Sequence, residues 1–331
     1  MRKKWIRGGI FLCLVLLLLS NLNRILCVKS PHGVDQTRYL YVQPKNKIDV
    51  LFLGSSHVHC NVNTQLLWDE YGMAAYLMTG AEQPLWNSYY NLKEALKTQK
   101  PKLVVLDMFC PSRFYDDFQP GWADENLDGM RISLNKLEAV YTSVQEEQSH
   151  FFLGFTEYHS RYDQLTTEDF QNFVWNRKTQ ERWKGYTPLN RHAELTEPDM
   201  SHVTTSQEMT EKSKEYFEKI VELTKKEGIA LALISGPYLL EERDQEVYNS
   251  IGQLSEKDGL LFWNTNTPAH YREMGLDFST DYADHAHLNE AGGAKYTAYL
   301  GKWLSQNYSF PDRRGQKGYE SWENQLMKSG E

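Results

Sequence analysis

Two short stretches hold the side chains best suited to act together. The first, Asp49-Val50-Leu51-Phe52-Leu53-Gly54-Ser55-Ser56-His57, is an apolar run without helical spacing that stops at a glycine and two serines. Such a run is expected to form a buried parallel strand ending in a tight turn that presents a hydroxyl. The second, Asp284-His285-Ala286-His287, sets a carboxylate three residues before an imidazole, so one turn of backbone brings them together. A hydroxyl, an imidazole and a carboxylate that orients the imidazole are the parts of an activated nucleophile. The expected roles are Ser56 as nucleophile, His287 as its base and Asp284 as the holder of the imidazole tautomer. A register slip of one residue would make Ser55 the nucleophile instead. The bland alternative is a turn serine, a helix-start cap and a surface histidine.

Taken in that order, the stretches resemble the first and last blocks of the SGNH (GDSL-like) hydrolase superfamily, an apolar strand into Gly-Asp-Ser and a late Asp-x-x-His. Ser55 stands where the family usually has Asp, which places the nucleophile at Ser56, and Leu288-Asn289-x-x-Gly292 is similar to the usual continuation. The resemblance implies acyl-ester chemistry without a cofactor. It also implies an oxyanion held by the backbone N–H groups of Ser56 and Gly80, each donor worth ~3 kcal/mol of barrier. The family's third donor is an asparagine after the third strand. Here that place reads Asp107-Met108-Phe109-Cys110-Pro111, and Gln83 or Asn87 is the expected substitute. Asp107 itself is expected to cap a neighbouring turn. Membrane-tethered proteins of this resemblance modify envelope polymers beside a multi-spanning acyltransferase. The implied function is therefore an extracytoplasmic esterase or O-acyltransferase acting on an acylated, in the simplest case acetylated, glycan. A non-catalytic glycan-binding scaffold that keeps the fold is the alternative. The missing asparagine favours it, and the intact Ser56, Asp284 and His287 oppose it.

The elements that must position these residues alternate along the chain. Strands are expected at Asp49–Leu53, Ala74–Met78, Lys102–Met108, Ile229–Ile234 and Leu260–Trp263. Helices are expected between them: through Leu66–Trp68, from Pro84 to Leu96, through Tyr216–Val221 behind a capping box of Thr205 and Glu208, through Val247–Leu254, and through Tyr296–Leu304. This rhythm predicts a flavodoxin-like three-layer α/β/α fold with a five-stranded parallel sheet, its working residues beyond the strands' carboxyl ends. From about 111 to 204 the rhythm lapses into an aromatic-rich stretch too long for a structureless loop, so a mostly helical insertion over the strand ends is expected. Within it, Tyr158-His159-Ser160-Arg161-Tyr162 offers His159 and Arg161 as substrate contacts, Arg suiting an anionic substrate; a surface salt bridge is the bland reading. The polar tail after about Tyr308 is expected to be loosely held.

A chain of 331 residues, 40% of them hydrophobic, can bury a full core. Its net charge of -8 and the lack of a basic stripe argue against nucleic acid. Arg2, Lys3, Lys4 and Arg7 precede an uncharged stretch whose apolar core, Gly8 to Leu19, falls short of the usual ~20-residue span. A cleaved signal peptide therefore stands beside an uncleaved anchor. Ser20-Asn21-Leu22-Asn23-Arg24 offers no small-x-small site, and Arg24-Ile25-Leu26 before Cys27 is no lipobox. The preferred reading is a single-pass anchor over residues 1–30, with an α/β domain, 31–331, outside the cell. Cys60 follows the Ser56 turn and Cys110 a later strand; if those strands are neighbours the two are a disulfide, and otherwise two buried thiols. His57-x-His59 and His285-x-His287 with Asp284 raise a zinc reading. The opposite directions of alternate side chains in an extended chain oppose it, and no metal is expected. A reporter that works only outside the cytoplasm, fused after Glu331, should be active, and the mature chain should keep its N-terminus in the membrane fraction. Release of a shortened soluble form would show a signal peptide instead.

Overall fold

In a parallel sheet covered on both sides, every strand residue is buried, so the strands read as unbroken apolar runs rather than alternating ones. The computed structural model describes residues 2–26, 33–113, 118, 121–152, 159–171 and 183–323. Its strands are β1 (Val50–Gly54), β2 (Ala75–Thr79), β3 (Leu103–Asp107), β4 (Ala230–Ser235) and β5 (Leu261–Asn264), all parallel in the order β2-β1-β3-β4-β5. The helices are α1 (Arg2–Leu26), α2 (Val34–Leu40), α3 (Ser56–Asn61), α4 (Thr64–Tyr71), α5 (Leu85–Ala95), α6 (Phe109–Arg113), α7 (Ala123–Leu127), α8 (Leu134–Ser143), α9 (Thr167–Gln171), α10 (Glu211–Glu227), α11 (Glu242–Asp258), α12 (Pro268–Met274), α13 (Glu290–Asn307) and α14 (Glu320–Glu323).

The period of two sorts the strand residues into two cores. Leu51, Leu53, Val104 and Leu106 pack under α5, α10 and α11, with Trp86, Phe217 and Ile251 between. Val50, Phe52, Leu103 and Val105 pack under α3, α4, α12 and α13, with Val58, Leu67, Tyr271 and Leu300 between. This is the expected three-layer α/β/α fold, with β1 between β2 and β3, and β3 at the centre of the sheet.

Three expectations change. α10 starts at Glu211, and its cap is Thr210, whose hydroxyl accepts from the Ser213 N–H at 3.2 Å. Thr205 and Glu208 are not its cap; the Thr205 hydroxyl donates to Glu246 of α11 at 2.6 Å and its carbonyl accepts from Asn249 at 2.8 Å. The insertion is helical in α6 to α9, yet residues 187–210 form no regular helix. Instead, a strap crosses the molecule. The Lys184 carbonyl accepts from the Leu77 N–H at 2.9 Å and so occupies the outer edge of β2. The Thr187 N–H donates to the His59 carbonyl at 2.7 Å, and the Ala193 N–H to Tyr282 at 2.9 Å. Phe114, Tyr115, Phe155, Tyr158, Trp175 and Cys27 lie outside the described residues.

The third change is the tail, which is well packed as far as Glu323. Arg313 grips Asp49 with both arms of its guanidinium, at 2.6 and 2.9 Å. Trp322 is fully buried, and its indole N–H donates to the Ala75 carbonyl at 3.2 Å. Polar composition hid these anchors, because a few aromatic contacts suffice to hold a segment whose other residues face water. Trp322→Ala should cost roughly 3–5 kcal/mol of stability in urea or thermal unfolding, through a cavity against Trp68 and Tyr319.

Candidate active site

The end of β1 is shaped by a carboxylate from the next strand. Gly54 adopts φ +149, and a Cβ there would lie 2.4 Å from the Cβ of Asp107, so only glycine lets β3 approach this closely. Asp107 is fully buried and accepts the Ser55 hydroxyl at 2.8 Å, the Ser55 N–H at 3.3 Å and the Phe109 N–H at 3.2 Å. Burial pushes its carboxyl up to about 6 against the opposing pull of these donors. The capping role expected of Asp107 is thus visible, and it fixes Ser55, the residue before Ser56. Ser55 also caps α3, its oxygen accepting from the His57 N–H at 3.2 Å.

With Ser55 committed, Ser56 is the serine left to face His287. Its Oγ lies 2.8 Å from His287 Nε2. On the far side of the ring, Nδ1 is 2.8 Å from Asp284 Oδ1, and that oxygen also accepts the N–H groups of Ala286 at 2.9 Å and His287 at 3.0 Å. Partial burial works to raise the Asp284 carboxyl; the His287 ring and the two N–H donors outweigh it and hold it below the usual carboxylate range. This unbroken run of hydrogen bonds fits a serine whose proton leaves to an oriented imidazole.

Two positioning residues escaped sequence reasoning. Asn61, at the end of α3, accepts the Leu288 N–H at 3.0 Å and ties the His287 loop to the helix that Ser56 begins. Arg191, on the strap, donates to Asp284 Oδ2 at 2.9 Å. Separations of 227 and 93 residues left no local signal for either contact.

Several expected partners are placed elsewhere. The Gly80 N–H donates to the Gly54 carbonyl at 3.2 Å and closes the end of the β1–β2 pair, so it is already bonded within the protein. Gln83 is buried, donating to Ser88 at 2.9 Å and accepting from Asn91 at 2.8 Å. Asn87 is buried too and accepts the Ser143 hydroxyl. Both amides are therefore tied into the packing of α5 rather than presented to Ser56. Arg161 caps the end of α1, donating to the Leu26 carbonyl and to Asp169, a cation at a helix C-terminus. His159, two residues before it, is exposed. Cys60 and Cys110 are separate buried thiols, Cys60 pushed up to about 12 by burial. His57 and His59 diverge, His57 toward Phe109 and His59 toward Thr79, its Nδ1 3.2 Å from the threonine hydroxyl.

Ser56 at the end of β1 and the Asp284–His287 pair after β5 thus meet at the carboxyl end of the parallel sheet. No family model matches the chain. No curated protein matches it either. Among solved structures it is similar to a proposed acylhydrolase from Bacteroides fragilis, at 13% identity and a TM-score of 0.39, over 82% of this chain and 94% of that one. It is similar also to a catalytic mutant of an acetylxylan esterase from Geobacillus stearothermophilus, at 11% identity and a TM-score of 0.40, over 81% of this chain and 98% of that one.

Asp107 makes a pH test of the site's foundation. Its carboxyl is raised in the folded state, so the fold holds its proton more tightly than the unfolded chain does. Stability from this group is fullest in acid and falls as pH rises from about 4 through about 6. Measured against Asp107→Asn, the wild type should lose on the order of 3 kcal/mol between pH 4 and pH 7 in denaturant titrations. A difference that stays flat across that range would refute the raised carboxyl.

Proposed function

We propose that the chain is a serine-dependent ester hydrolase or O-acyltransferase of the SGNH type, working outside the cytoplasm on acyl, in the simplest case acetyl, esters of an envelope or exported glycan. The observation that carries this reading is the continuous path from Asp284 through His287 to Ser56. As Ser56 Oγ attacks the ester carbonyl carbon, its proton passes to His287 Nε2, and the tetrahedral species collapses to acyl-Ser56 as His287 returns that proton to the departing alcohol. Water or a second hydroxyl then attacks the acyl group, gives its proton to His287, and releases Ser56. Hydrolysis and transfer differ only in that last acceptor.

The location rests on α1, whose stretch Lys3–Leu26 is long and apolar enough to cross a membrane; a signal sequence has the same character. The basic residues at its N-terminal end favour a cytoplasmic N-terminus and an outer domain. A multi-spanning acyltransferase that supplies the acyl group is the partner such a tethered enzyme would serve. A weakly active or inactive glycan-binding scaffold is the second reading, supported by the Gly80 N–H being bonded to Gly54.

A fluorophosphonate should label the full chain at Ser56, as read by mass spectrometry, and an aryl acetate should be hydrolysed. His287→Ala should remove nearly all of that activity. Asp284→Asn should cost up to ~10⁴-fold in kcat, the scale of a misplaced tautomer, and the double variant should be scarcely worse than His287→Ala. Tight glycan binding without any label would favour the scaffold.

A further inference from the structure

His57, directly after the nucleophile, is 3% exposed, and neither ring nitrogen has a hydrogen-bond partner among the described residues. The ring is nevertheless held firmly. It stacks on Phe109 with 3.5 Å between centroids and 19° between planes, and it meets Tyr238 edge-on at 4.9 Å. The His287 ring, whose Nε2 holds Ser56 Oγ, is 5.5 Å away. Arg113 lies over both Phe109 and Tyr238, at 5.8 and 5.7 Å, and pairs with Glu241 and Asp244. Burial first, then the neighbouring His287 and Arg113, push the His57 pKa well below that of a free histidine. The ring therefore carries one N–H donor and one lone pair.

Buried polar atoms in folded proteins nearly always have partners, because leaving them unpaired is unfavourable. A histidine that only filled space here would do so less well than phenylalanine. The chemistry proposed for Ser56 does call for a donor. Attack on an ester places negative charge on the carbonyl oxygen, which needs fixed donors in a dry site. The Ser56 N–H, in the first turn of α3 with no helical carbonyl behind it, is one. The Gly80 N–H is bonded to Gly54, Gln83 and Asn87 are bonded within α5's surroundings, and the residue after β3 that reaches this end of the sheet is the apolar Phe109.

We propose that His57 is a catalytic residue that donates a ring hydrogen bond to the carbonyl oxygen of the ester attacked by Ser56. The assignment rests on Ser56 being the nucleophile. Phe109 and Tyr238 set the plane of the ring, and the substrate oxygen completes the pairing that the protein leaves open.

The test uses the full chain in detergent, with an aryl acetate as substrate. His57→Phe should lower kcat by roughly 10²–10³-fold, the scale of a lost oxyanion donor, with KM within about twofold. Its melting temperature should not fall, because the stack on Phe109 is kept and an unpaired polar ring is gone. His57→Gln, which retains an N–H donor, should recover at least about tenfold over His57→Phe. If His57→Phe does not fold, the comparison passes to His57→Leu against His57→Gln, and equal rates overturn the proposal. An unchanged kcat in His57→Phe, with Ser56 labelled by fluorophosphonate in the wild type, overturns the role of His57 and leaves the nucleophile standing. A wild type that takes no label overturns both. Loss of kcat together with a lower melting temperature, and no recovery by glutamine, would mark the ring as structural and overturn the proposal too.

Discussion

A single buried carboxylate governs how the end of β1 is used. Asp107 sits where β3 ends and draws in both the N–H and the hydroxyl of Ser55, the residue that must begin α3. Gly54 exists to admit it. Because Ser55 is bound to Asp107 and to the His57 N–H, the next serine alone is free to turn toward His287. The family resembled here usually places its carboxylate beside the nucleophile in sequence. This chain brings one across from the neighbouring strand, and a charge held in a dry site is the cost of that substitution.

The other half of the site is held from a distance. The loop carrying Asp284 and His287 is folded tightly by the Asp284 carboxylate itself, but its position over Ser56 depends on Asn61 below and the strap beside it. Asn61 belongs to the same short helix that Ser56 begins. Ser56 and His287 are thus referred to one rigid element, which suits a geometry that tolerates errors of only fractions of an ångström. The strap adds Arg191, an exposed guanidinium bound to the outer oxygen of Asp284. It neutralises part of the carboxylate's charge where the site meets solvent.

Much of this was legible in the sequence, for physical reasons that differ by element. The strands lie within about a residue of expectation, because burial on both faces leaves an apolar run that helices do not mimic. Ser56, Asp284 and His287 meet because parallel topology gathers the carboxyl ends of β1 and β5 on one side of the sheet. What stayed hidden depends on partners far away in the chain. Thr205 and Thr210 each look like a cap, and the competing bond to Glu246 decides between them. Gln83 and Asn87 have the right chemistry near the right strand, but the packing of α5 consumes it. Arg161 suits an anion, yet the open carbonyl at the end of α1 claims it.

The tail has a consequence in time rather than in space. Its clasp joins residues 264 positions apart, Arg313 to Asp49, and its indole reaches back 247 positions to the start of β2. The β2 edge of the sheet therefore stays unsealed until the segment carrying Arg313 and Trp322 is available to close it. Contacts of such long range also form slowly. Closing the β2 edge is therefore a late event in folding, and until Arg313 and Trp322 arrive that edge offers its open backbone groups to whatever else the chain meets.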